Sequence, residues 1–167
     1  MQTLVIQNAN SHEESLGRKW AAIREYWANP AAKPEVFEAF VSFEGARLRH
    51  AGDSPNPERY NPDTWTDEFA FFNLPGHAEI QAALLCDYRT NVAAYPAWRA
   101  WLRAHRPRTL VMWGRYDSSF VAAAGAAYQR DLPDAEVHLL DAGHFALDEK
   151  VDEIAALMHA FLAKQLA

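Results

Sequence analysis

Two rhythms divide the hydrophobic and polar positions of this chain. From about residue 106 onward, short apolar runs alternate with amphipathic stretches. Thr109-Leu110-Val111-Met112-Trp113 is a continuous apolar run, the pattern of a strand buried on both faces. Val121 to Arg130 is rich in alanine and predicts a helix. Glu136 to Leu140 predicts a second strand, introduced by Leu132-Pro133-Asp134. Val151 to Gln165 puts Ile154, Leu157, Met158, Phe161 and Leu162 on one helical face. Strand, helix, strand, helix is the grammar of a parallel sheet with right-handed crossovers. At the other end of the chain, Thr3-Leu4-Val5-Ile6-Gln7 is a further buried-strand run. One predicted strand therefore precedes a long intervening region, and two follow it.

That intervening region, about 10 to 105, has helical periodicity. Gly17 to Ala28 carries Trp20, Ile23, Tyr26 and Trp27 as an apolar stripe, and Pro30 ends it. A second helix opens at Pro34, a good first-turn residue, and runs through Val36, Phe37, Phe40, Val41 and Phe43. Residues 52 to 57, Gly-Asp-Ser-Pro-Asn-Pro, read as a loop. Asp63 caps a short helix through Phe71, and Leu74-Pro75-Gly76 breaks it. Another helix is expected from His77 to about Asn91, and Pro96 is expected to start a separate one over Ala97 to Ala104.

With 167 residues the chain can bury one real core. Half the residues are hydrophobic and 23% are charged, an ordinary globular balance. The net charge of -6 argues against nucleic acid as a partner, which needs a clustered basic face. The densest basic stretch, Arg99 to Arg108, reads as a helix end plus linker with a solvated face. Cys86 is the sole cysteine, so no disulfide framework or cysteine metal site is expected, and a reducing compartment fits. His12, His50, His77, His105, His138 and His159 show no ligand spacing, and no metal site is expected. No run approaches the roughly 20 apolar residues of a membrane span. The first residues alternate too early for a secretory signal, so a cytoplasmic location is expected.

The chemistry-bearing residues sit after the two later strands. The first is followed by Gly114-Arg115-Tyr116-Asp117, the second by Asp141-Ala142-Gly143-His144-Phe145. Side chains just past the carboxyl ends of parallel strands converge on one crevice. Asp117 and His144 are thus the candidate acid and base of a Ser-His-Asp type relay. Each has a plainer reading as well. Asp117 can cap the turn at Ser118-Ser119-Phe120, and His144 can be a packed structural histidine. Asp141 and Asp148 read as turn and helix-start residues, with Asp148 or Glu149 as substitutes for the acid. No nucleophile accompanies them. There is no G-x-S-x-G, and the one Gly-Asp pair, Gly52-Asp53, has no strand before it.

This layout resembles the C-terminal half of an α/β-hydrolase-fold enzyme, over essentially the whole chain. The family pattern is a sixth strand, a helical cap, then strands seven and eight. Here Thr3 to Gln7 matches strand six, while Thr109 to Trp113 and Glu136 to Leu140 match strands seven and eight. The fold expected is α/β, a partial α/β-hydrolase fold with a short parallel sheet of about three strands. Residues 1–9 and 106–167 would form the truncated core, and 10–105 the helical cap. The segments Tyr60-Asn61-Pro62-Asp63-Thr64-Trp65, Asp87-Tyr88-Arg89-Thr90-Asn91 and Tyr95-Pro96-Ala97-Trp98 are most similar to the haloalkane dehalogenase and epoxide hydrolase group.

The resemblance implies that His144 is the base, Asp117 its orienting acid, and water the only co-reactant, with no cofactor. In that group an aspartate nucleophile attacks carbon and forms an ester, which the histidine then helps water to hydrolyse. The strand-turn-helix elbow bearing that nucleophile would precede strand six, making Met1 an internal or engineered start. The chain is then expected to be inactive alone, its parent acting on a small apolar haloalkane, epoxide or ester. Trp27, Trp65, Tyr88, Tyr95 and Trp98 either line a substrate pocket or pack the interior of the cap. The first strand becomes an exposed apolar edge, which invites self-association or a complementing N-terminal half. A non-catalytic helical binding or assembly module derived from the same fold is the alternative.

Overall fold

The computed structural model describes residues 3–52 and 54–166, with side chains through Lys164. Asp53, half of the lone Gly-Asp pair, and the side chain of Gln165 therefore lie outside the described residues. Three strands form the sheet: β1 (Thr3–Gln7), β2 (Arg108–Gly114) and β3 (Glu136–Leu140). Their order is β1-β2-β3 and both pairings are parallel. Gln7 lies opposite Met112 and Gly114 opposite Leu140, so all three strands finish at one end of the sheet.

β2 is the central strand, and its unbroken apolar run follows from burial on both faces. Leu110 and Met112 pack with Leu140, Ala142, Ile154 and Phe161, the last two on α7 (Ala146–Leu166). Val111 and Trp113 face the opposite way, onto Ala124 and Tyr128 of α6 (Ala123–Asp131) and onto Trp20, Ile23 and Leu85. Gly125 brings α6 close, because a Cβ there would sit 3.0 Å from the Cβ of Trp113.

Between β1 and β2 lie α1 (Lys19–Ala28), α2 (Pro34–Val41), α3 (Phe43–Ala51), α4 (Asp63–Phe72) and α5 (His77–His105). Two expectations are corrected here. The helix from Pro34 does not run through Phe43. It stops at Ser42, whose extended backbone and Oγ, accepting from the Gly45 amide at 2.9 Å, start α3. The helix from His77 does not end near Asn91 either. It continues through Pro96 to His105, 29 residues in all. Proline removes one helical hydrogen bond, but Leu85, Val92, Tyr95 and Leu102 on the same helix are buried, and packing of that stripe outweighs the break. α7 starts earlier than expected, at Ala146, but has a non-helical residue at Lys150, so its regular part begins at Val151 as the periodicity indicates.

A polar cluster centred on the buried Asp131 fastens both ends of the helical segment to α6. His12 Nε2 lies 2.9 Å from Asp131 Oδ2, and Arg103 Nη1 donates to Asp131 Oδ1 at 2.5 Å. The Tyr128 hydroxyl donates to the Ala9 carbonyl at 2.6 Å. Burial pushes the His12 pKa below its usual value, partly offset by the bond to Asp131. Among the described residues β1 pairs on one side only, and its other edge borders an open groove with Trp98 and Trp101.

Candidate active site

The loops after the three strands meet at their common end. The acid loop and the base loop lie backbone against backbone: Arg115 N–H donates to the Leu140 carbonyl and Tyr116 N–H to the Ala142 carbonyl, both at 3.0 Å. Gly114 permits this approach. A Cβ there would fall 1.9 Å from the Gly143 carbonyl oxygen and 2.6 Å from that of Ala142, which only glycine avoids.

His144 Nδ1 lies 2.9 Å from Asp117 Oδ2. The carboxylate is fully buried and the imidazole is about one-fifth exposed, 0% against 21%. Both readings of Asp117 are met at once by its two oxygens. Oδ1 accepts from the Ser119 and Phe120 amides at 2.7 and 2.9 Å, which is the turn-capping role. Oδ2 accepts from the Asn8 Nδ2 at 2.7 Å and faces the imidazole. A buried carboxylate with this many donors is held in one orientation. With Nδ1 engaged, Nε2 is the nitrogen free to exchange a proton with a reacting group.

Asn8 is the residue of this candidate site that sequence reasoning missed. It follows β1 directly, in the left-handed region at φ 44°, where asparagine is among the best tolerated residues. Its Oδ1 accepts from the Gly114 amide at 3.3 Å while its Nδ2 reaches Asp117. One side chain thus bridges the acid and the strand that carries it. An asparagine directly after a predicted strand was the available signal.

The aromatic candidates separate into groups. Trp27 and Tyr88 pack with Trp20, and Tyr88 and Trp20 pack with Phe120. The edge of Phe120 meets the His144 ring at 5.6 Å. Tyr95 is fully buried, its hydroxyl 2.9 Å from that of Tyr88. Trp27, Tyr88 and Tyr95 therefore belong to one cluster that reaches the base through Phe120. Trp65 lies elsewhere, buried with Ala46, Ala51 and Tyr60. Trp98 is 42% exposed beside the β1 edge.

A largely apolar cavity of about 430 Å³ lies beside the acid loop, walled by Trp20, Ile23, Val36, Phe40, Leu48 and Leu85 and touching Ser119. Its size suits a small organic ligand. A cavity of about 490 Å³ sits at the other end of the sheet, around residues 106–109 and 132–136, away from the relay. Glu149, a candidate substitute acid, instead accepts the Gly143 amide at 2.7 Å. Asp141 accepts from Arg59 at 2.9 Å, a hydrogen bond that lowers its pKa. Among the described residues no group of side chains could hold a metal ion, and no helix is long and apolar enough to cross a membrane.

Comparison with known proteins agrees with this architecture. The chain is 32% identical over 157 residues to an uncharacterized hydrolase of Saccharomyces cerevisiae, covering 91% of this chain and 54% of that protein. It spans about half the length of this curated relative. Two solved structures share the fold at low identity. A meta-cleavage product hydrolase from Pseudomonas fluorescens superposes with a TM-score of 0.72 at 16% identity, covering 98% of this chain and 56% of the other. A thermophilic esterase from Thermogutta terrifontis gives 0.61 at 17%, with the same coverages. The model of the α/β hydrolase fold family matches residues 3–151, from the first strand past the base loop. On that match, this chain belongs to the α/β hydrolase fold family.

Proposed function

We propose that this chain supplies the acid, the base and the helical cap of a hydrolase whose nucleophile stands on a complementing N-terminal half. The observation that carries this reading is the 2.9 Å contact of His144 Nδ1 with a buried, fully bonded Asp117. In the proposed reaction, a carboxylate from the complementing half attacks the substrate carbon and expels halide or opens the epoxide ring, whose oxygen takes a proton from solvent; a serine would instead give its proton to His144, attack an ester carbonyl and release the alcohol, which takes that proton. His144 Nε2 then accepts a proton from water, which hydrolyses the covalent ester, and Asp117 stabilises the imidazolium so formed. No cofactor enters.

The substrate class proposed is a small, largely apolar haloalkane, epoxide or ester. The apolar cavity beside Ser119 and the aromatic cluster ending at Phe120 support it. Trp27, Tyr88 and Tyr95 would act there as the wall behind the base, with the half-exposed Trp98 packed on Tyr95 at 5.5 Å, whereas Trp65 belongs to a separate cluster. The likeness of Tyr60 to Trp65 and of Asp87 to Asn91 to the dehalogenase and epoxide hydrolase group motivates the first two substrates. Under this reading, residues 10–105 are the cap and the flanking segments the truncated core.

The experiment combines the chain with a supplied N-terminal half bearing a strand-turn-helix nucleophile. Ester, haloalkane and epoxide turnover are then measured. Turnover is expected in the combination, none in the chain alone, and none in the combination with His144→Ala. Activity indifferent to His144→Ala would remove the assignment. A second reading, a helical binding or assembly module, draws support from the unpaired edge of β1 beside exposed Trp98 and Trp101. Self-association of the chain with no gain of activity on combination would favour it.

A further inference from the structure

The base loop is gripped from outside the relay. Gly143, immediately before His144, donates its amide to Glu149 Oε1 at 2.7 Å. Glu149 reaches back because the helix path is broken just after it, at Lys150 (φ -132°, ψ 34°). The loop has no room on this side. A Cβ on Gly143 would lie 3.0 Å from the His50 carbonyl oxygen and 3.3 Å from Glu149 Oε1. Residues of the helical segment close the clasp. Arg59 Nη1 donates to the Asp141 side chain at 2.9 Å and Nη2 to its carbonyl at 2.5 Å, and Nη2 also lies 4.0 Å from Glu149 Oε2. The His50 ring stacks on Phe145 at 4.4 Å, and Tyr60 lines the same small cavity as Glu149.

We propose that Glu149 is a positioning residue for His144, fixing the base through the Gly143 amide and tying its aim to the seating of Arg59, His50 and Tyr60. The proposal rests on His144 and Asp117 being the base and acid. A carboxylate buried at this cost has a local reason to be there: burial raises its pKa, and the Gly143 amide at 2.7 Å, with a smaller contribution from Tyr60, opposes the rise. A one-residue shift of the 143–145 backbone would carry the imidazole out of reach of Asp117. Small displacements of this kind carry large costs in a relay.

Nuclear magnetic resonance on the isotope-labelled full chain tests this without needing turnover. The Nδ1 proton of His144, bonded to Asp117, gives a far-downfield signal identified by its loss in His144→Ala. That signal is expected to persist in Glu149→Gln, whose amide oxygen still accepts from Gly143. It is expected to be lost in Glu149→Ala and in Glu149→Asp, which keeps the charge but shortens the reach. A carboxylate that merely steadied the start of α7 would lower the melting temperature in these variants and leave the signal in place. Persistence of the signal in Glu149→Asp overturns the proposal even if the alanine variant does not fold; its loss in Glu149→Gln overturns it as well. Absence of the signal in the unsubstituted chain would instead defeat the acid–base assignment on which the proposal rests.

Discussion

Replacing Asn8 with alanine removes the bridge between the acid and the central strand. Three contributions can be read from the structure. The Nδ2 donor to the Asp117 carboxylate, at 2.7 Å, is a charge-assisted bond of about 1.5–3 kcal/mol. The buried Gly114 amide loses its acceptor; at 3.3 Å this bond is long, which puts the loss near the low end of about 1–3 kcal/mol. Alanine at φ 44° adds about 1 kcal/mol of left-handed strain. Neighbouring contributions do not add fully, and about 4 kcal/mol is expected for the whole. In a protein of this size that lowers the melting temperature by about 8–16 °C. Urea unfolding of Asn8→Ala and Asn8→Gly separates the parts. Glycine loses both hydrogen bonds but tolerates the backbone, so it should be about 1 kcal/mol more stable than alanine. Asn8→Asp keeps the shape but sets a second carboxylate against Asp117, and its deficit should shrink as the pH falls and the pair takes up a proton. An alanine variant within about 1 kcal/mol of the parent would refute the bridge.

Two further outcomes are expected. Gly114→Ala forces a methyl group onto the Gly143 and Ala142 carbonyl oxygens, both backbone. It should cost upward of about 3 kcal/mol and separate the acid and base loops; a soluble variant with an unchanged urea midpoint would contradict the close packing. For His12, burial outweighs the bond to Asp131 and gives a folded pKa below the unfolded value near 6.5. Its stabilising contribution is therefore complete above that value and lost as the pH falls through the folded pKa. Between pH 7.5 and 5.5 the parent should lose more stability than His12→Gln, and equal losses would exclude His12 as the source.

The sheet was legible because β2 is buried on both faces, which writes an unbroken apolar run into Leu110 to Trp113. The pairing of Asp117 with His144 was legible because each follows a strand of the parallel sheet and stands near a glycine that close backbone packing requires. The rest depended on contacts that local pattern does not record. Asn8 acts on Asp117, 109 residues away, through a backbone angle no periodicity reveals. Pro96 carries a strong local signal to break a helix, and long-range burial of Tyr95 and Leu102 overrules it. Ser42 offered a helix-start signal inside an apolar stretch whose periodicity concealed it. The aromatic residues were recognisable as a set, but which of them share a wall with Phe120 is decided by how α1 and α5 cross.

Asp131 joins two places far apart in sequence: the point where the chain leaves the sheet, at His12, and the point where α5 returns to it, at Arg103. α5 itself, 29 residues at about 1.5 Å each, is a strut of roughly 43 Å. A lid hinged at either junction would have to release this one carboxylate from both partners before it could swing. On the proposed function, access to the imidazole would then rest on local yielding among the shorter pieces, α1 to α4, with the strut and its rivet fixed.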